Sequence, residues 1–262
     1  MFVNHVHLMP EWLRPDGTLD ALRAVMDAVG FAGAVCYAPF RRQMNGRDED
    51  PNRWLTQTIR GHDELVGFGT LDETRPPAEQ VGRIAELGLV GVKLHPPYQR
   101  LDLAGPWMAA ACEAMAEHRL IADFHTGMHF APLRPNALLA FDELAFRFPE
   151  LAMIFEHVGG WHFHREMIAV ISNHRQAGRL YAGIASVLDR DGDDRHWYLG
   201  PEGLNDCRWQ LGADQLIYGL DFPYNQRPRF ESDLRIIRDL GWPAEDTAKL
   251  LGGNLRRLLG RE

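Results

Sequence analysis

Along the chain, short runs of apolar and β-branched residues alternate with amphipathic stretches. The runs predict strands at 2–8, 33–39, 65–71, 89–95, 120–126, 152–158, 180–186 and 216–222. The intervening stretches predict helices at about 18–29, 51–61, 77–87, 105–118, 134–147, 163–177, 193–211 and 229–240, with a last helix at 244–259. The strand runs are nearly continuous in apolar residues, as expected when both faces of a strand are covered. Eight strand-then-helix units predict a parallel sheet, and eight strands are the number that closes into a (β/α)₈ barrel. The 262 residues fit one such domain, spanning 1–262.

Local signals agree. Thr18-Leu19-Asp20 opens a helix with a capping residue, and Pro76-Pro77, Pro106 and Pro135 fall near helix starts. Gly30, Gly88, Gly178, Gly212 and Gly241 follow helical runs, where a left-handed cap belongs. A doubly wound open sheet would place a Gly-rich turn after the first strand. The segment there, His7-Leu8-Met9-Pro10-Glu11, is not one.

Barrel enzymes carry their chemistry at the C-terminal ends of the strands. Those ends are unusually polar here: His5-Val6-His7, Lys93-Leu94-His95, Asp123-Phe124-His125, Glu156-His157 and Gly219-Leu220-Asp221. Strand alternation puts His5 and His7 on one face, and likewise Lys93 with His95 and Asp123 with His125. By the same rule Glu156 turns away from His157, towards the helices, as a structural residue. His5, His7, His125 and Asp221 then form a candidate set of metal ligands. Three imidazoles and a carboxylate suit one Zn²⁺ best, with Mn²⁺, Fe²⁺, Ni²⁺ and Co²⁺ compatible by ligand type.

Composition narrows the partners. The net charge is −8, and no dense Lys/Arg run marks a nucleic-acid surface. No apolar run is long enough to span a membrane, and the N-terminus lacks the pattern of a signal peptide. Cys36, Cys112 and Cys207 are scattered, which points to a reducing, cytoplasmic setting. The expected partner is a small molecule; a homodimer stays open.

The chain resembles the amidohydrolase superfamily. It is most similar to the amidohydrolase-related branch that includes carboxymuconate-semialdehyde decarboxylase and small lactone or dicarboxylate hydrolases. The resemblance rests on His5-Val6-His7, Gly91-Val92-Lys93-Leu94-His95-Pro96, Phe124-His125-Thr126-Gly127, Glu156-His157-Val158-Gly159-Gly160, Tyr218-Gly219-Leu220-Asp221-Phe222-Pro223 and Gly253-Asn254-Leu255-Arg256-Arg257-Leu258-Leu259. It implies that His5, His7 and His125 bind one metal, that Asp221 is a further ligand or base, and that His157 acts on the substrate beside the ion. The branch usually has an acidic residue two positions before the first histidine. That position is Val3 here, so support for His5 must come from elsewhere.

A divalent ion lowers the pKa of bound water, and Asp221 can take and return the proton. His157 can polarise the attacked carbonyl. Hydrolysis of a small carboxylate, lactone, amide or ester is the first reading. Nonoxidative decarboxylation on the same residues is the alternative, followed by a TatD-like nuclease. Lys93 has three readings: a carboxylated bridge to a second ion, as in binuclear lactonase or phosphotriesterase-like enzymes, a buried partner of Asp123, or a substrate contact. His95, Arg41 and Tyr98 are candidate substrate contacts, Arg41 for a carboxylate.

Overall fold

The computed structural model describes residues 1–190 and 194–261. Eight parallel strands follow the apolar runs: β1 (Phe2–His7), β2 (Gly33–Tyr37), β3 (Leu65–Thr70), β4 (Gly91–Leu94), β5 (Ile121–His125), β6 (Met153–Glu156), β7 (Leu180–Ile184) and β8 (Leu216–Phe222). Each pairs with its neighbour in sequence, and β1 pairs with β8, so the sheet closes into the expected (β/α)₈ barrel. Every strand residue is buried. Outward side chains pack under the helices, which explains why the runs read as continuous rather than alternating.

The helices are α1 (Leu19–Val29), α2 (Pro51–Thr58), α3 (Pro77–Glu86), α4 (Pro96–Gln99), α5 (Pro106–Glu117), α6 (Ala140–Arg147), α7 (Gly160–Asn173), α8 (Gly200–Leu211), α9 (Arg227–Asp239), α10 (Ala244–Ala248) and α11 (Asn254–Leu258). Thr18 caps α1 by accepting from the Ala21 N–H, and Gly30 ends it with φ 86°. The helix predicted from residue 134 starts later, at Ala140; Pro135 lies in a separate 3₁₀ turn, Arg134–Asn136. The helix predicted at 193–211 is a 3₁₀ turn, Asp194–His196, followed by α8, and its first predicted residue lies outside the described residues.

The helix predicted at 244–259 is broken. Between α10 and α11 the chain makes a π turn in which Gly252 has φ 140°. A Cβ at Gly252 would stand 2.5 Å from the Phe2 backbone nitrogen. Tertiary contact with the first strand sets this kink, and helical periodicity cannot reveal it.

The barrel interior is layered. At the N-terminal end, Phe2, Val35, Val66, Phe68, Ile121, Ile154, Tyr181 and Ile217 pack together with Leu255 of α11. One inward step further along the strands stand Asn4, Tyr37, Lys93, Asp123 and Glu156, all buried. The next inward positions are His7, His95 and His125, at the C-terminal mouth. This layering turns an apolar plug into a polar site within two residues of strand.

Candidate active site

Backbone irregularity builds the mouth. His5, His157, Ser186 and Asp221 have φ of 62°, 62°, 55° and 55°. Non-glycine residues adopt this left-handed region only where their surroundings impose it. Register also shifts between Val3 and Val6 in β1. In step with Phe2 and Ile154 of the inner plug, Asn4 and Glu156 point inward, and the left-handed turn brings His5 and His157 inward too. Consecutive residues therefore both face the interior.

Glu156 is thus not the outward structural residue expected from simple alternation. Its Oε1 accepts from Asn4 Nδ2 at 2.5 Å, and its Oε2 lies 2.9 Å from His5 Nδ1. That contact is bent, and neither atom has another partner among the described residues. A carboxylate beside Nδ1 favours the ring proton there and leaves Nε2 bare. Glu156 supplies the support for His5 that Val3 does not.

Beneath this pair the polar layer is continuous. Asn4 Nδ2 also donates to Asp123 Oδ2 at 2.8 Å, Tyr37 donates its hydroxyl to the same oxygen at 2.5 Å, and Lys93 Nζ donates to Asp123 Oδ1 at 2.7 Å. Burial pushes the Asp123 carboxyl up to about 6, with Lys93 pulling the other way. Lys93 is fully buried as the ion-pair partner of Asp123. A carboxylated Lys93 would put a second anion against Asp123, and a substrate contact would need an opening that its burial denies.

Above this layer, His5 Nε2 and His7 Nε2 face each other at 3.1 Å. Asp221 Oδ1 lies 3.3 Å from His5 Nε2 and 3.7 Å from His7 Nε2. Ligands about 2.0–2.1 Å from one tetrahedral ion stand roughly 3.3 Å apart, so this donor triangle fits a divalent metal. Ser186 Oγ donates to Asp221 Oδ2 at 2.9 Å and itself accepts from Asn225 Nδ2 at 2.6 Å, which fixes the carboxylate. Burial pushes His5 and His7 well below the usual histidine range, so both rings are neutral and able to ligate at neutral pH.

One ring nitrogen each from His95, His125 and His129 forms a second group within 4.8 Å. His95 and His125 stack at 3.7 Å with planes 11° apart, and His125 Nε2 is buried without a partner among the described residues. His157 stands between the groups, with ring centroids 5.1 Å from His5 and 4.7 Å from His125. Its Nδ1–H donates to the Ala185 carbonyl at 2.8 Å, leaving Nε2 as an acceptor. Trp197 stacks on its ring at 4.8 Å. Gly160 permits that approach, because a Cβ there would lie 2.9 Å from the Trp197 ring.

His5, His7, His95, His125, His129, His157, Trp197 and Asp221 line one cavity of about 300 Å³, together with Phe40, Gln43, Tyr98 and Tyr224. Among the described residues lining it, none is Lys or Arg. Arg41 lies outside: it belongs to a 3₁₀ turn, Arg41–Met44, and its Nη1 donates to the Glu49 carbonyl at 3.0 Å. Arg41 thus grips its own loop rather than the pocket.

A sequence profile of the family described as Amidohydrolase matches residues 7–261. The chain belongs to the amidohydrolase family. No curated protein sequence matches it significantly. Among solved structures, it is similar to a putative 2-pyrone-4,6-dicarboxylic acid hydrolase from Pseudomonas putida, at 20% identity and TM-score 0.74, covering 100% of this chain and 97% of that one. It is also similar to 5-carboxyvanillate decarboxylase from Sphingomonas paucimobilis, at 16% identity and TM-score 0.71, covering 98% of each chain. A dihydroxybenzoic acid decarboxylase from Polaromonas sp. JS666, solved with manganese and the inhibitor 2-nitroresorcinol, matches at 16% identity and TM-score 0.70, covering 99% of this chain and 96% of that one.

For this amidohydrolase, sequence reasoning missed Asn4, Tyr37, Ser186, His129 and Trp197. Asn4 and Tyr37 carried a findable signal, as polar residues inside strand runs. Ser186, His129 and Trp197 sit on loops whose path no periodicity encodes.

Proposed function

We propose that this amidohydrolase is a single-ion metal hydrolase acting on a small carbonyl compound, a lactone, ester, amide or carboxylate. The observation that carries the reading is the triangle of His5 Nε2, His7 Nε2 and Asp221 Oδ1, with edges of 3.1, 3.3 and 3.7 Å. His125, whose Nε2 is buried without a partner among the described residues, is the fourth ligand of this reading, although its ring nitrogen groups with those of His95 and His129 rather than with the triangle. Its donors suit zinc. A divalent ion held there would supply Lewis acidity to a substrate carbonyl.

The chain's own residues do the rest. Asp221 holds a proton at its carboxylate and returns it to the leaving group, with Ser186 fixing its orientation. His157 presents Nε2 to the substrate because Ala185 holds its Nδ1 proton. Phe40, Tyr98, Trp197 and Tyr224 give the cavity flat aromatic walls that exclude water from a planar substrate. The three cysteines are buried and free, in keeping with a cytoplasmic setting.

Decarboxylation on the same residues is the second reading, favoured by the likeness to two solved decarboxylases. Elemental analysis tests the metal; one ion per chain is expected. A panel of lactones, esters and phenolic acids assayed with zinc-loaded protein tests the reaction. Released carbon dioxide without hydrolysis would shift the assignment to a carboxy-lyase, and a properly folded chain that takes up no divalent ion would end both.

A further inference from the structure

Three polar groups pack around His125 and His157 on the cavity wall. Tyr98 N–H donates to His95 Nδ1 at 3.3 Å, which puts the ring proton of His95 on Nε2. Trp197 Nε1 is buried without a partner among the described residues, and an indole nitrogen can only donate. His129 Nδ1 also has no partner among the described residues. The rings lie close together: His95 to His129 at 4.6 Å, and His129 stacked with Trp197 at 6.2 Å with planes 7° apart.

An unpaired buried donor is costly, so Trp197 Nε1, with the His95 Nε2–H and the His129 ring beside it, marks a place for an acceptor. We infer that His95, His129 and Trp197 form an N–H wall that receives an oxygen of the substrate, a carboxylate or a carbonyl, beside the rings of His125 and His157. The inference rests on the proposed metal reading for the ion that the same substrate would meet. A second cation is the competing occupant of the histidine group. Two features disfavour it. Stacked rings 3.7 Å apart cannot aim their in-plane lone pairs at one ion, and a ring whose Nδ1 accepts a hydrogen bond has no lone pair on Nε2. The metal triangle accepts and this wall donates, so a substrate oxygen has one sense of entry.

The probes are benzoate for the carboxylate and benzamide for the carbonyl, each titrated into the zinc-loaded and zinc-free protein. The indole N–H of Trp197 is followed by NMR. It is assigned by its absence in Trp197→Phe or, if that variant does not fold, by elimination from Phe variants of the other tryptophans. A downfield shift of this one resonance with either probe supports the wall, and the probe that gives it names the oxygen. Trp197→Phe is expected to weaken binding of that probe about tenfold or more. A silent Trp197 with both probes, in both forms of the protein, overturns the inference while leaving one bound zinc to support the metal reading. Two zinc ions per chain, one of them lost in His129→Gln, overturn it too, by making the wall a cation site. Absence of zinc counts against the metal reading alone, because the zinc-free titration still decides the wall.

Discussion

His5, His7 and Asp221 stand on a wall of the cavity backed by carboxylates and hydroxyls; His95, His125 and His129 stand on one backed by other rings. On the first wall, Glu156 holds one side of His5 and Ser186 holds Asp221, so the donor atoms are aimed before any ligand arrives. On the second, stacking fixes the planes of the rings, and His125 Nε2 and His129 Nδ1 have no partners among the described residues. Both walls use imidazole. The difference is what lies behind the rings: carboxylate support fixes tautomer and basicity, whereas ring support fixes only shape.

The sharpest way to break this contrast is to empty the first wall. Asp221→Ala should lose turnover by about 10³-fold or more and lose bound ion, measured by steady-state rates and elemental analysis. His129→Ala should keep the ion; equal metal loss in both variants would erase the distinction between the walls.

Support from below comes next. Lys93→Met leaves Asp123 buried without its cation, and should cost about 3–5 kcal/mol in urea unfolding. Combining it with Asp123→Leu should recover part of that loss. A single variant as stable as the parent would mean that the layer beneath the first wall is not a coupled ion pair.

Glu156→Gln keeps the size of the side chain and removes the charge beside His5 Nδ1. Zinc affinity should fall about 10–100-fold in competition with a chelator, with little change in unfolding. Unchanged affinity would show that the first wall needs no carboxylate behind it.

The smallest effect concerns sulfur, which neither wall uses. Burial pushes the Cys112 and Cys207 thiols up to about 12. Ellman's reagent should leave the native protein unlabelled and its turnover unchanged, and should label all three cysteines after unfolding. Fast native labelling with loss of activity would put a thiol in the site.

Much of what backs the two walls is invisible in the sequence for a geometric reason. Alternation sorts residues into inward and outward only while the strand stays regular. It placed Asp123 under His125 and Lys93 beside Asp123. It failed at Glu156 because the chain turns left-handed at His157, so two consecutive residues face inward. Arg41 failed differently. A loop residue has no period, and its own loop carbonyl at Glu49 claimed the guanidinium.

The sequence by itself determined the eight-fold repeat of strand and helix, and which ionisable residues end the strands. Apolar period and turn chemistry are local, so they survive without coordinates. Only the tertiary structure decided that Glu156 supports His5, that Lys93 is sealed against Asp123, and that Trp197 reaches the cavity. Those facts depend on strained backbone at a few strand ends and on which distant loop closes over them, and neither is written in any window of neighbouring residues.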